Sequence, residues 1–217
     1  MSEEESFQTM IPNRIDLALG AALFGLAACG PLVQIGGNTA APAALLTLRA
    51  EVPSAPAPTR PGATLLIALP GVPGALQTLR LPVATSDTEV QYLKDGSWIE
   101  QPARLFQRLL IDTVAAKTGM IAFDGRNTDL APARKLGGKL LDFGLDVRSS
   151  PMVRVRYDAV LTSANGKLLA ARSFTASQPV GSQSPTQVAA ALNRAANGIA
   201  VEVADWVAAE SAGSSQK

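Results

Sequence analysis

The chain has no histidine and only one cysteine in 217 residues. Those two counts exclude a Ser-His-Asp or Cys-His catalytic pair, a histidine-ligated metal, a zinc knuckle and any intramolecular disulfide. Charge of one sign is also missing, since 19 basic residues stand against 18 acidic ones and leave a net charge of +1. With no basic block to track phosphates, nucleic acid is not an expected partner. The phosphate-cradling patterns G-x-G-x-x-G and G-x-x-x-x-G-K-[ST] are absent, as is the G-x-S-x-G elbow. The nearest phrase, Gly137-Gly138-Lys139, lacks both their spacing and the hydroxyl. No cofactor, no metal and no enzymatic activity are therefore expected. An apolar content of 47% is ample for one packed domain.

The longest apolar stretch near the N-terminus, Leu17 to Ala28 (LALGAALFGLAA), is a dozen residues long. A spanning helix needs about 20. Arg14 precedes this stretch and the small residues Ala27 and Ala28 close it, which is the order of a secretory signal. The acidic opening MSEEESFQT fits such a leader badly, whereas MIPNRIDLALG fits well, so translation is expected to start at Met10. Leu26-Ala27-Ala28-Cys29 resembles the bacterial lipobox, whose cysteine is acylated on sulfur and becomes the first mature residue. The plain alternatives are an apolar leader cleaved after Ala-x-Ala with an ordinary small cysteine nearby, or a short buried helix; the lipobox alone explains both the apolar run and its abrupt end at the chain's one cysteine. The resemblance implies a signal peptide over 1–28 and a lipid anchor of palmitate and diacylglycerol type on Cys29. At about 0.8 kcal/mol per buried methylene, two or three acyl chains hold a protein lastingly. Gly30 is not Asp, which by the lipoprotein sorting rule implies the outer membrane.

Residues 29–43 continue as a small, Gly- and Pro-containing tether. At about 3.3 Å per residue it reaches roughly 45 Å, so the folded body stays near its membrane. The domain is expected over 44–209, and the polar end 210–217 is expected to be a disordered tail. ALLTLR (44–49) and ATLLIAL (63–69) look like central strands buried on both faces, separated by the proline-rich loop 51–62. LQTLRLPV (76–83) and EVQYL (89–93) look like shorter strands, with Pro82 marking an end or an edge. From Pro102, apolar residues recur at three and four through Val114, and Gly119 stands where a C-terminal cap belongs: an amphipathic helix.

Met120 to Phe123 reads as a short strand. Leu136 to Val147 alternates, with Leu141, Phe143, Leu145 and Val147 on one face and Asp142, Gly144 and Asp146 on the other. Val153 to Leu161 repeats the alternation, and Asn165-Gly166 suits a type I′ turn into a returning strand at Leu168 to Phe174. A last helix opens at Ser184 and Pro185 with the stripe Val188, Leu192, Ala195, Ile199, Val203 and Trp206. Together these predict one α/β domain with a mixed, largely antiparallel sheet. Asp142 and Asp146, four apart on a strand, would sit about 13 Å apart, too far for a glycosidase pair, so a solvated face is the expectation. Arg148, Arg154 and Arg156 are candidates for acidic partners or lipid headgroups, against the simpler reading of an ordinary charged strand face.

VQYLKDGSWIEQPARLFQRLL, with Tyr92, Trp98 and Pro102, and the C-terminal AALNRAANGIAVEVADWV resemble signatures of the ABC-type transport auxiliary lipoproteins, the paraquat-inducible-protein C type included. The resemblance spans Cys29 to about Val207. It implies an anticodon-binding-domain-like α/β/α fold, related to the N-terminal domain of TolB. It also implies a non-catalytic role on the periplasmic face of the outer membrane. The implied partners are an MCE-domain substrate-binding protein, a permease and an ATPase that move lipids between the envelope membranes. A homo-oligomer that caps a ring-shaped MCE partner is a candidate assembly. Tyr92, Trp98, Pro102, Arg154 and Arg156 are candidate interface residues, although the two aromatics equally suit packing of the helix on the sheet. A pilotin or outer-membrane biogenesis factor is the alternative reading.

Overall fold

The computed structural model describes residues 44–53, 63–126 and 130–213. In chain order these form β1 (Ala44–Leu46), β2 (Thr64–Ile67), β3 (Arg80–Ala84), β4 (Val90–Trp98), α1 (Pro102–Thr118), β5 (Ile121–Phe123), β6 (Arg134–Asp146), β7 (Met152–Ser163), β8 (Leu168–Pro179) and α2 (Pro185–Gly213). A 3₁₀ turn at Gly74–Leu76 precedes β3. The signal peptide, Cys29 and the tether lie outside the described residues.

α1 begins and ends where local chemistry dictates. Proline opens α1, where its missing N–H would be unpaired in any case and its fixed φ is already helical. Gly119 closes it in the left-handed region at φ 66°, and its N–H bonds to the Ala115 carbonyl at 3.1 Å. In α2 the stripe Val188, Leu192, Ala195, Ile199 and Val203 is fully buried. Buried Ala191, Ala196, Ala200 and Ala204 flank it, small enough for neighbouring backbone to approach closely. This helix runs on to Gly213, past the expected domain end at 209, and the Ser211 hydroxyl donates back to the Val207 carbonyl at 2.7 Å.

The sheet is organised around β6. Along one edge β6 pairs antiparallel with β7, and β7 with β8, the expected meander. Its other edge is divided. The N-terminal part pairs parallel with β2, which in turn carries β5. The C-terminal part pairs parallel with β3, which carries β4 antiparallel and then β1 parallel. Between the two, the Ala68 and Gly71 N–H groups donate to the Leu136 and Gly138 carbonyls and the Leu140 N–H donates to the Gly71 carbonyl, which carries the β6 ladder on past β2.

Tyr157 of β7 and Phe174 of β8 are cross-strand partners and therefore share a face. Phe106 of α1 meets Tyr157 edge-on at 5.2 Å, and Trp206 of α2 meets Phe174 at 5.7 Å. Both helices thus cover the same face, and the core lies between them and the sheet. The single mixed α/β domain is as expected, but its layering differs from a helix on each side. The described residues leave the second face of the meander bare, with Arg156 opposite Asp142 and Asp158 opposite Lys139.

Several local expectations are corrected. Among the described residues β1 is an edge strand, with Leu45 66% exposed, because three residues pair and only with β4. Pro82 is buried inside β3 between two neighbours; the register shift between Arg80 and Pro82 accommodates its missing N–H. In β6, Leu141 is an extra residue at a bulge. Leu136 and Leu140 therefore face the helices before it and Phe143 and Leu145 after it, whereas Leu141 turns to the bare side. The β7–β8 turn is not type I′, which needs positive φ at both central residues; of the pair, Gly166 alone has it, at 82°. Ser163 instead accepts from Gly166 N–H at 3.0 Å and donates its own N–H to Lys167 at 2.9 Å, a type I turn closed by a glycine bulge.

After β1 the chain crosses α2, held by two asparagines one helical turn apart. Asn197 accepts from Glu51 N–H at 2.8 Å and donates to the Arg49 carbonyl at 2.9 Å, as a neighbouring strand would. Asn193 accepts from Arg49 N–H at 2.8 Å and donates to the Glu51 carboxylate at 2.9 Å.

Candidate functional site

The lipobox residues Leu26, Ala27, Ala28 and Cys29, and the sorting residue Gly30, lie outside the described residues. The remaining candidates separate by burial. Trp98 is fully buried, its ring 5.5 Å from Phe143, and Pro102 is buried at the start of α1. Neither offers a surface to a partner: Trp98 packs in the core against Phe143 of β6, and Pro102 forms the buried first turn of α1. Tyr92 is half-buried on the bare side, its hydroxyl 3.4 Å from the Ala75 carbonyl and its ring beneath the Arg80 guanidinium at 4.5 Å. Arg154 and Arg156 are close to half exposed on the bare face, each held by a carboxylate: Asp146 at 2.7 Å and Asp158 at 3.2 Å.

The bare face carries a cleft of about 260 Å³. Its floor is Gly144 of β6 beside Pro82 of β3. A Cβ on Gly144 would lie 2.5 Å from the Pro82 carbonyl oxygen, so glycine is required for β3 and β6 to come this close. Pro73, Ala75 and Leu76 from the 3₁₀ turn form one wall and Leu141, the bulged residue, forms another. The bulge that displaces Leu141 from the core thus gives the cleft an apolar side.

One rim of the cleft is a charged cluster. The Asp146 carboxylate is 4% exposed and accepts from Arg148 through its backbone N–H, Nε and Nη2, at 3.0, 3.0 and 2.6 Å. Arg154 Nε adds a contact at 2.7 Å. The Arg148 hydrogen bonds hold the Asp146 carboxyl well below the usual carboxylate range, against the opposing effect of burial, with Arg154 adding to the depression. Arg148 also reaches Asp87 in the β3–β4 turn at 2.6 Å. The expected solvated Asp146 is therefore a buried anion, paired because a buried charge must be. Its proton affinity is too low for a general base near neutral pH. Asp142, near the same cleft, is exposed. Asp112, whose pKa burial raises while Arg108 opposes, sits away on α1. Among the described residues no three His, Cys, Asp or Glu side chains come together to hold a metal. What the arrangement can do is bind: an apolar floor and walls take a small apolar group, and the rim fixes polar neighbours.

The separate alternations of β3 and β6 give no sign of this cleft, because β6, β3 and the 3₁₀ turn that build it come together only in the folded sheet. A signal existed in Arg148 and Arg154, two cations that follow Asp146 in the sequence, but spacing alone does not show that they share one carboxylate.

No helix among the described residues is long and apolar enough to cross a membrane. The family model for the ABC-type transport auxiliary lipoprotein component matches residues 46–204. No curated relative matches the sequence. Among solved structures, a Xanthomonas campestris protein of the DUF330 family superposes with a TM-score of 0.70 at 20% identity, covering 81% of this chain and all of that one. An uncharacterised protein gives a TM-score of 0.60 at 13% identity, covering 76% and 99%. These likenesses concern the fold.

Proposed function

The chain belongs to the ABC-type transport auxiliary lipoprotein components, and on that premise we propose that it is the non-catalytic, lipid-anchored accessory subunit of a transport system working between the envelope membranes. The observation that carries this reading is the family match across nearly the whole folded body, from β1 to α2. Cys29 is the acylated residue, and Gly30 after it favours the periplasmic face of the outer membrane. The partner is an MCE-domain substrate-binding protein served by a permease and an ATPase, and the cargo is lipid or another hydrophobic molecule. A tether reaching about 45 Å keeps the domain by its own membrane, so the partner spans the periplasm.

The site supports a binding role. The cleft is lined chiefly by apolar groups, and the one buried carboxylate beside it is neutralised by two arginines. Arg154 and Arg156 lie on the sheet face that neither α1 nor α2 covers, where a protein partner can dock without displacing either helix. Crosslinking in cells followed by co-purification tests the assignment. The tagged lipoprotein is expected to bring down an MCE-domain protein, and the mass of the detergent-extracted complex shows whether several copies of this chain assemble on it. Repeated recovery without any MCE protein, with outer-membrane proteins mislocalised on depletion, would favour an envelope-assembly role instead.

A further inference from the structure

A strand at the border of a sheet presents unpaired N–H and C=O groups, and β8 is such a strand over its 12 residues: among the described residues it pairs with β7 alone. The register shows which groups are free. In an antiparallel pair, backbone groups turn to opposite edges from one residue to the next. Just past β8 the Val180 N–H donates to the Pro151 carbonyl at 3.1 Å, so the even-numbered residues from Ala170 to Gln178 turn their groups to β7. Ala171, Ser173, Thr175 and Ser177 therefore turn theirs outward. All four are exposed, and among the described residues no hydrogen bond reaches their outward groups. Pro179, the next in the outward set, gives up an N–H that the β7 ladder does not use. Sheet borders are commonly blunted by a bulge or by proline within the strand. The one register shift of the β7–β8 pair lies at the hairpin end, and from Ala170 to Gln178 the strand is regular and free of proline.

Charge decides what can pair there. Although the chain as a whole is balanced, it holds no Asp or Glu between Asp158 and Glu202, a stretch that contains Lys167, Arg172 and Arg194. Lys167 stands in the β7–β8 turn, Arg172 within β8, and Arg194 on α2 beside Pro179 and Gly181 at the far end of the strand. All three are exposed, and among the described residues none pairs with a carboxylate. The Arg172 guanidinium rests over the Phe174 ring at 4.9 Å, on the helix side of the sheet. A second copy of this edge would bring cations against cations, and like charges across neighbouring strands repel. A carboxylate in the same position attracts. We propose that the free edge of β8 receives an extended acidic segment of the partner protein, which joins the sheet as a further strand: the outward groups of Ala171, Ser173, Thr175 and Ser177 supply the backbone bonds and Arg172 selects the charge. The proposal rests on the accessory-subunit reading for the existence of a partner and adds how that partner is held.

The alternation along β8 makes the test specific. The full-length protein in detergent is titrated with a short peptide alternating glutamate and valine, with the same peptide N-methylated throughout, and with a version carrying lysine for glutamate, while amide hydrogen exchange is read residue by residue by NMR. The acidic peptide is expected to slow exchange severalfold at Ser173, Thr175 and Ser177 and to leave Phe174 and Ala176, already bonded to β7, unchanged. N-methylation is expected to abolish the effect, and Arg172→Gln to weaken binding about twofold to fivefold, as loss of one exposed charge pair does. No added protection at the three outward amides overturns the proposal, as do equal protection of both sets, equal binding of the lysine peptide and unchanged binding by Arg172→Gln. Protection that grows with protein concentration in the absence of peptide also overturns it, and assigns the edge to a second copy. The accessory-subunit reading fails separately. Binding of the acidic peptide without recovery of any MCE-domain protein from cells overturns that reading and supports this one, whereas an MCE complex in which the three amides exchange as fast as in the free protein does the reverse.

Discussion

Replacing Asp146 by asparagine tests the charged rim most directly. The wild-type carboxylate is 6% exposed in its side chain and receives four donor contacts from Arg148 and Arg154, whose side chains are 39% and 46% exposed. A hydrogen bond to a charged group contributes about 1.5–3 kcal/mol, but both arginines can rehydrate when released, which discounts the total heavily. Asparagine keeps one acceptor oxygen and loses the charge. A net cost of about 2 kcal/mol follows, or about 4–8 °C in Tm for a domain of this size. The pH dependence gives the sign. Because the folded Asp146 carboxyl is depressed below its unfolded value near 4, its contribution is complete above that value and fades as pH falls towards the folded pKa. Thermal unfolding of wild type and Asp146→Asn, followed by circular dichroism from pH 7 to pH 2, should show the full gap at neutral pH narrowing below about pH 4. A gap under about 0.5 kcal/mol at pH 7, within ordinary surface variation, would refute the reasoning, as would a large gap that ignores pH.

Gly144→Ala should destabilise the domain by about 1–3 kcal/mol in urea unfolding, because the new methyl meets the Pro82 backbone, which cannot swing aside. Trp98→Phe should cost well under half of what Trp98→Ala costs, itself about 3–5 kcal/mol, since the buried indole N–H has no partner to lose. Asn197→Ala should leave the global midpoint within about 2 kcal/mol of wild type yet raise amide exchange at Glu51, measured by mass spectrometry, because that N–H loses its acceptor. Cys29→Ala should fold normally but leave the membrane fraction on cell fractionation; full retention there with complete complementation would rule out the anchor.

Elements held together by local pattern were legible in the sequence. Pro102 and Gly119 bracket α1 because both act through their own backbone geometry, and the alternation Val153 to Leu161 survives intact because the extra residue of the β6–β7 bulge, Leu141, belongs to β6 and leaves β7 regular. The misreadings share one cause: each depends on a partner distant in sequence. ALLTLR looks central because a short apolar run carries no record of how many neighbours it has. The face reversal in β6 depends on Leu141 bulging against β7, and pattern alone assigns Leu141 to the core with Phe143. Asp146 looks solvated until Arg148 folds back and Arg154 arrives from the next strand. Of the candidate interface, Tyr92 and the two arginines reach the surface, whereas Trp98 and Pro102 owe their place in the motif to packing.

The asparagine pair on α2 also determines how the domain bears a load. On the proposed anchor at Cys29, a pull on the chain before β1 would enter the described domain at Ala44. The three residues of β1 are the first to yield, since they are paired along a single edge. The force then arrives at Arg49 and Glu51, where four side-chain hydrogen bonds tie the chain across a helix of 29 residues. Under such a pull Asn193 and Asn197 would act as a strain relief, holding the chain on α2 after the edge strand had given way.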